Sequence, residues 1–331
     1  MRIITCASYY GTGSSAVTDL LSEFENDIYS FGEYEYRFIQ DPDGISDLEF
    51  NIIENNHRHN TSYAIKRFIK YMHSLTEFGY GDGYKIFGKT YDILLNNYIN
   101  SICTLKTKTW WHRDRIDKGI LFSYIDRGYS LIKRMRNLKS EKRYSLLQNH
   151  ELSYYTNISE NDFLIATRHF VDSLFSSVSN KNILMIDQMI PPSNTSRYIR
   201  YFNDVKVIVV DRDPRDLFLL EKKQWQWGII PTDDVNEFIE WFKITRNVHA
   251  EKDDPNKVMR IRFEDLIFDY DNTRNKIIEF VGVNKLNCTN YQQKFNPSIS
   301  IKNTNLSIKY PEEKDNIDLI AKELKQYLYD F

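Results

Sequence analysis

The sequence has few cysteines, prolines and glycines and no long apolar run. Its 331 residues include 3 Cys, 8 Pro and 12 Gly. Cys6, Cys103 and Cys288 lie far apart without CxxC spacing, which argues against a disulfide framework or a zinc site and favours reduced thiols. No stretch approaches the roughly 18 apolar residues of a transmembrane helix, and the N-terminal apolar run is too short for a signal peptide. We therefore expect a cytoplasmic protein without a transmembrane segment.

A surplus of basic charge is also missing. The 44 Lys and Arg residues face 46 Asp and Glu residues, giving a formal net charge of −2. A nucleic-acid-binding protein normally carries a basic surplus, so no nucleic-acid partner is expected. The hydrophobic share of 41% is enough to fill a core and excludes a wholly disordered chain. A small, local anion site remains compatible with this balance.

Short apolar runs alternate with helical patterns at both ends of the chain. The predicted strands are 2–7, 27–31, 182–186, 205–210 and 257–262. Strands that alternate with helices indicate an α/β fold with a mostly parallel central sheet flanked by helices, whose ligands bind at the carboxyl ends of the strands. Residues 45–180 have mainly helical patterns. We predict a single domain over residues 1–331 in which 45–180 form a helical insertion or an acceptor-side subdomain.

The first predicted strand runs directly into a Gly/Ser turn and a helix. The turn consists of Tyr10, Gly11, Thr12, Gly13, Ser14 and Ser15. Glycines let a backbone approach a ligand, and N–H groups at a helix N-terminus bind phosphate; the alternative is an ordinary turn with Ser14 or Ser15 as N-cap. No lysine precedes the serines, so a Walker-type ATPase or GTPase is disfavoured.

A second charged motif, DRDPRD, follows the predicted strand 205–210. Arg212 and Arg215 in this motif should lie at the carboxyl edge of the sheet, near the Gly/Ser turn. The planar guanidinium group suits bidentate phosphate binding. The alternative is a solvated salt-bridge cluster.

These motifs, with MRIRFEDL at 259–266 and SIKN at 300–303, resemble in order and spacing the sulfotransferases that use 3′-phosphoadenosine-5′-phosphosulfate (PAPS), and are similar to the bacterial carbohydrate sulfotransferases among them. The resemblance covers roughly residues 1–40 and 180–331. It implies a P-loop NTPase-like fold, a 5′-phosphosulfate loop at the Gly/Ser turn and a 3′-phosphate contact at Arg212. It also implies donor contacts from Lys302 and Asn303. Two positions depart from the family pattern: Gly11 stands where a Lys or Arg is usual, and Leu220 where a Ser is usual.

The resemblance also implies a general base for the acceptor hydroxyl. A Glu after the second strand has this role in the carbohydrate members, and both Glu35 and Glu33 fit that place, with Glu35 preferred. The alternative is an acidic edge paired with Arg37. His169 is the runner-up base, although a single His in a helical run is more often structural.

Acceptor contacts are predicted at four positions. Lys106 and Lys108, near two tryptophans, would suit an anionic acceptor, although a solvated basic loop explains each of them taken singly. Asp187 and Gln188 end a predicted buried strand at the ligand edge of the sheet. No metal is expected.

The sequence thus predicts a sulfotransferase that moves a sulfuryl group from PAPS to a hydroxyl of a carbohydrate or glycolipid acceptor, such as a bacterial surface polysaccharide or its precursor. Two alternatives stay open: a nucleotide-dependent kinase, and a non-catalytic nucleotide-binding protein on the same fold.

Overall fold

A computed structural model describes residues 1–77, 83–137, 144–148, 150–247 and 253–331, without the side chains of Glu33, Glu77 and Tyr84. Two compact units divide the chain. The first consists of Met1–Gln40 and Val171–Phe331, and the second of Asp41–Phe170.

Strands and helices in the described residues take the following bounds. The strands are β1 (Arg2–Ser8), β2 (Ile28–Glu35), β3 (Leu105–Thr107), β4 (Ser153–Tyr155), β5 (Ile183–Asp187), β6 (Val205–Asp211) and β7 (Val258–Arg262). The α-helices are α1 (Ser14–Leu21), α2 (Ile45–Ile52), α3 (Arg58–Glu77), α4 (Gly83–Phe87), α5 (Thr90–Ile102), α6 (His112–Asp117), α7 (Gly119–Arg136), α8 (Glu160–Ser176), α9 (Thr195–Ile199), α10 (Pro214–Leu219), α11 (Val235–Asn247), α12 (Asp265–Phe268), α13 (Tyr270–Val281), α14 (Pro297–Ser300) and α15 (Lys314–Glu323). A π-helix, Leu220–Trp225, continues α10, and short 3-10 turns occur mainly after residue 284.

The first unit is built on a five-stranded sheet of order β2-β5-β1-β6-β7, in which every neighbouring pair is parallel. The central strands β1 and β6 are apolar almost throughout, as expected of strands covered on both faces. The predicted α/β fold with a mostly parallel central sheet is confirmed. Since β1, β5 and β6 are neighbours, the segments after residues 8, 187 and 211 all leave the sheet at one edge.

Two apolar clusters hold helices in the first unit. One packs α1 and α13 on side chains of β1 and β6, including Ile4, Cys6 and Ile208. The other joins α10 to α11 and α15, through residues such as Phe218, Phe238 and Ile320. The sheet and its helices therefore fix the starts of α1 and α10, which follow β1 and β6 directly.

The second unit is mainly helical. It contains α2 to α7 and most of α8, together with a two-stranded antiparallel sheet of β3 and β4. The sequence pattern did not indicate these strands, because three residues are too few to establish a period of two. Among the described residues, no helix combines the length and the apolar composition needed to cross a membrane.

Candidate active site

The loop between β1 and α1 turns on residues with left-handed backbone angles. Tyr10 and Gly11 have φ 64°, and Gly13 has φ 103°. Thr12 anchors the loop to β6, because its hydroxyl donates to the carbonyl of Val210 at 2.6 Å. No side chain caps α1 and no acidic residue lies in its first turn. The loop therefore presents an uncompensated helix N-terminus, which favours an anion.

Both glycines of this loop are packed against aromatic rings. A Cβ atom added to Gly11 would lie 2.4 Å from Trp225, and one added to Gly13 would lie 2.5 Å from Phe263. Side chains at these positions would overlap the rings. The basic side chain expected at position 11 from the family pattern is thus sterically excluded here by Trp225.

Arg212 lies beside the loop and is only 3% exposed. Its Nη1 donates to the carbonyl of Gly11 at 3.4 Å, its Nη2 donates to the carbonyl of Asn303, and its guanidinium stacks on Phe263 with 4.2 Å to the ring centroid. The buried Nε has no hydrogen-bond partner among the described residues. Burial lowers the pKa of Arg212, but an arginine keeps its charge in a protein. A buried, charged donor without a partner is suited to an anionic ligand.

The second arginine of the motif is engaged elsewhere. Arg215 forms a bidentate pair with Asp213, at 2.9 Å from Nε and 2.7 Å from Nη2, and also donates to the carbonyl of Tyr329. Asp213 caps α10 by accepting from the backbone N–H of Arg215 at 2.8 Å. Arg215 therefore holds the start of α10 and the C-terminal segment together, whereas Arg212 contacts the loop.

Two further carboxylates fix the surroundings of Arg212. Glu264 accepts from the backbone N–H of Asp213 at 2.7 Å. Asp216 accepts from the backbone N–H groups of Asn305 and Leu306 at 2.9 and 2.7 Å. These bonds hold the segment that carries Asn303 against α10. Lys302 of the same segment is exposed.

A second group of side chains lies where β5 ends next to β2. Asp187 pairs with Glu35 in the parallel register of these strands. The hydroxyl of Ser14 donates to Asp187 at 3.4 Å and accepts from the side-chain amide of Gln188 at 3.0 Å. Arg37 lies 3.8 Å from Glu35. Asp187 is thereby joined to the first residue of α1, and Glu35 lies beside Asp187 in the strand register.

Asp187 titrates far from its usual range. Burial, reinforced by the charge of Glu35, raises its pKa from 3.8 to about 7, although hydrogen bonds from Gln188, Ser14 and Thr18 act in the opposite direction. With a pKa of about 7 this carboxyl group is only partly ionised at neutral pH, because burial and the neighbouring carboxylate both oppose its ionisation. The described residues include no group of three or more His, Cys, Asp or Glu side chains that could hold a metal ion.

The remaining candidates belong to the second unit or have side chains outside the described part of the chain. Lys106 and Lys108 are exposed on and next to β3, and His169 is exposed on α8; all three belong to the second unit. Lys106 bonds Asn100 and lies 5.6 Å from the ring centroid of Tyr154. Glu33 belongs to β2, and its side chain is outside the described part of the chain. The roles of these four residues stay predictions.

Sequence reasoning missed Trp225 and Phe263 as walls of the loop and two arginines around Tyr9. Arg246 lies 4.3 Å from the Tyr9 ring centroid and is paired with Asp211 at 2.8 Å. Arg260 donates to the Tyr9 hydroxyl at 3.2 Å. No local pattern marks these contacts, since more than 200 residues separate the partners along the chain. Arg246 is buried, whereas Arg260 is exposed and pairs with Asp253 at 2.6 Å.

The second departure from the family pattern has a packing explanation. Leu220, at the start of the π-helix, is 1% exposed and belongs to the apolar cluster of α10, α11 and α15. A side chain buried in that cluster stabilises the helices and is unsuited to a polar ligand.

Residues 130–286 match the model of a family described as "Sulfotransferase family". The match covers a little under half of the chain, and this part of it resembles the sulfotransferase family. The matched range includes β5, β6 and β7, and therefore Asp187, Arg212 and Glu264. No curated protein matches the chain.

Several solved structures are similar to this chain. The sulfotransferase domain of the Synechococcus PCC 7002 olefin synthase is 11% identical, with 100% of this chain and 96% of that chain covered and a TM-score of 0.47. The sulfotransferase domain from the curacin biosynthetic pathway is 10% identical, with 99% and 98% covered and a TM-score of 0.46. Retinol dehydratase in complex with androsterone and the inactive cofactor PAP is 14% identical, with 96% and 70% covered and a TM-score of 0.34. The resemblance to the sulfotransferase family is therefore carried by the match over residues 130–286.

Proposed function

We propose that this protein is a sulfotransferase that transfers a sulfuryl group from PAPS to a hydroxyl of a carbohydrate or glycolipid acceptor, in the cytoplasm of a bacterium that builds a surface polysaccharide. The observation that carries the proposal is the meeting of three features at one sheet edge. These are the Gly11–Ser15 loop, the buried Arg212 with its free Nε, and the carboxylates Glu35 and Asp187.

The donor-side residues fit a nucleotide with phosphates at two positions. The N–H groups at the start of α1 suit the 5′-phosphate, because they are uncapped and carry the positive end of the helix dipole. The guanidinium of Arg212 suits the 3′-phosphate, because its planar donors are held in place by Gly11, Asn303 and Phe263. Lys302 adds an exposed cation on the adjoining segment.

The chemistry requires a proton acceptor and charge neutralisation at the leaving group. When bound, PAPS supplies a sulfuryl group joined to a phosphate through an S–O bond. We assign Glu35 as the base: its carboxylate takes the proton of the acceptor hydroxyl while that oxygen forms a bond to sulfur. The S–O bond to the phosphate breaks, and the negative charge passes to adenosine 3′,5′-bisphosphate. The N–H groups of the loop neutralise that charge.

Titration calorimetry with adenosine 3′,5′-bisphosphate tests the donor site. We expect micromolar binding to the wild-type protein and a loss of roughly 100-fold in Arg212→Ala, which corresponds to about 2.7 kcal/mol for a charged hydrogen-bonding group. Arg215→Ala is the matched control from the same motif, and it should weaken binding only a few-fold if its melting temperature shows a folded protein. Absent binding at millimolar ligand, or equal losses in the two variants, would reject the assignment of Arg212.

A transfer assay with labelled donor and a cell-envelope glycan extract tests catalysis. Glu35→Gln should lose activity by at least roughly 100-fold, as expected of a general base, while its affinity for adenosine 3′,5′-bisphosphate stays at the wild-type value. Glu33→Gln and His169→Asn should retain activity. Full activity in Glu35→Gln would reject this base, and loss of activity in one of the other two would transfer the role to it.

The same assays separate the alternatives. A kinase would turn over ATP with Mg²⁺ instead of transferring sulfate, and the loop offers no lysine for that chemistry. A non-catalytic nucleotide-binding protein would bind the bisphosphate but transfer nothing.

A further inference from the structure

Helix α7 exposes an unusually large apolar surface. Seven of its large apolar side chains are more than half exposed: Ile120, Leu121, Tyr124, Ile125, Leu131, Ile132 and Met135. At 3.6 residues per turn these positions fall within one arc of about 140°. Single exposed apolar side chains are common, but a contiguous apolar face of this size marks an interaction surface. We call these seven residues the α7 apolar face.

The opposite side of α7 holds the helix to the second unit. Asp126, the only acidic residue of α7, lies opposite the apolar arc and is fully buried. It pairs with Arg115 at 2.8 Å and accepts from the backbone N–H of Leu146 at 2.6 Å and from the hydroxyl of Ser145 at 3.0 Å. The orientation of the helix is therefore fixed by a buried ion pair, and the α7 apolar face points outward.

Positive charge borders the α7 apolar face on both sides. Arg127 and Arg134 project beside one edge of the arc and Arg136 beside the other, and all three are exposed. No acidic side chain of α7 reaches this surface, because Asp126 is buried on the other side. An apolar stripe with arginines along both edges is typical of a helix that lies in the interface of an anionic bilayer.

We propose that α7 docks this protein on the surface of an anionic lipid membrane, with the α7 apolar face inserted at the level of the acyl boundary and the three arginines on the lipid phosphates. The helix carries too many charges to span a bilayer, and at 1.5 Å per residue its 18 residues lie about 27 Å along the surface. The proposal does not depend on the identity of the donor or the acceptor.

Vesicle flotation with the full chain tests the proposal. Wild-type protein should float with vesicles of equal parts phosphatidylcholine and phosphatidylglycerol, and should stay in solution with phosphatidylcholine alone. The double variant Leu121→Glu with Leu131→Glu should reduce the partition coefficient at least roughly tenfold, because it places two charges in the apolar arc. Arg127→Gln and Arg134→Gln should each reduce it about fivefold and weaken its dependence on salt.

A control double variant separates this surface from general surface hydrophobicity. Ile93→Glu with Leu286→Glu adds the same charge at positions that are 60% and 88% exposed outside α7, and should float like the wild type. Circular dichroism should show that all variants remain folded.

Three results would overturn the proposal. They are the absence of flotation with folded wild-type protein, an equal loss in the control variant, and a wild-type dimer that becomes monomeric in Leu121→Glu with Leu131→Glu while vesicle binding is unchanged. The last result would assign the α7 apolar face to contact between two copies of the chain.

Discussion

At the level of single residues, the loop between β1 and α1 depends on the absence of a side chain at position 11. Gly11 combines a left-handed backbone with a ring of Trp225 in the space that a Cβ atom would need. Positive charge beside the loop therefore comes from Arg212, which approaches from the end of β6, rather than from the loop itself.

Gly11→Ala should be more destabilising than backbone strain alone explains. A non-glycine residue in the left-handed region costs about 1–2 kcal/mol, and overlap with Trp225 should add about 1–3 kcal/mol of overpacking. Gly88→Ala is the matched control, since Gly88 has φ 62° and no atom within 4 Å of the added Cβ. Urea unfolding of both variants measures the difference, and equal losses would contradict the packing role of Trp225. The double variant Gly11→Ala with Trp225→Leu should recover part of the loss.

Asp187 should make donor binding depend on pH. Its pKa of about 7 means that the carboxyl group is neutral below pH 7 and gains a negative charge above it. That charge lies next to Ser14, the first residue of α1. A carboxylate and a phosphate about 10 Å apart repel each other by 1–2 kcal/mol at an effective dielectric constant near 20. The affinity for adenosine 3′,5′-bisphosphate should therefore fall roughly tenfold between pH 6 and pH 8.

Asp187→Asn supplies the control for that measurement. The variant keeps the size of the side chain but cannot ionise, so its affinity should change less over the same pH range. Ionisation of the ligand itself affects both proteins equally, and the difference between their pH profiles isolates Asp187. Identical profiles would show that Asp187 does not titrate beside the bound ligand.

At the level of elements, several hydrogen bonds to the side chain of Asp213 hold the start of α10 in place. Asp213 is completely buried and accepts from the backbone of Arg215, from its guanidinium group and from the backbone N–H of Tyr329. The first turn of α10, the end of β6 and the C-terminal segment are thus joined at a single carboxylate.

Asp213→Ala should cost about 3–5 kcal/mol of unfolding free energy, because it leaves the partly buried Arg215 without its partner. Asp234→Ala is a matched control. Asp234 accepts from the backbone N–H of Asn236 at 2.7 Å just before α11, but it is exposed, and its loss should cost about 1 kcal/mol. Denaturant unfolding distinguishes the two, and a loss in Asp213→Ala no larger than that in Asp234→Ala would contradict the junction.

The sequence predicts those features whose pattern is formed by residues that are close together along the chain. The apolar runs of β1, β5 and β6 and the glycines after β1 are local, so the parallel sheet and the position of the loop followed from them. Trp225 and Phe263 pack on loop glycines that are more than 200 positions away along the chain. No sequence pattern predicts such a contact. The sequence indicated both Arg212 and Arg215 as donor-binding residues, with Arg212 as the main 3′-phosphate contact. Among the described residues, Arg212 contacts Gly11 of the loop, whereas Arg215 pairs with Asp213.

At the level of the whole molecule, the proposed donor contacts and the proposed base all belong to the first unit. The predicted acceptor lysines belong to the second unit, within the mainly helical part that the sequence assigns to acceptor binding. If the first unit binds the donor and the second unit binds the acceptor, substitutions in the first unit should change the donor affinity and substitutions in the second unit should change the acceptor affinity.

The double variant Lys106→Ala with Lys108→Ala tests that division. Both lysines are exposed, and exposed charges that contact an anionic ligand contribute roughly 1 kcal/mol each at most. We therefore expect the KM for an anionic acceptor to rise about threefold to tenfold while kcat and the affinity for adenosine 3′,5′-bisphosphate stay unchanged. Lys70→Ala, an exposed lysine of α3 in the same unit, should leave all three quantities as in the wild type. A weaker affinity for the bisphosphate would assign the two lysines to the donor instead, and an unchanged KM would remove them from the acceptor site.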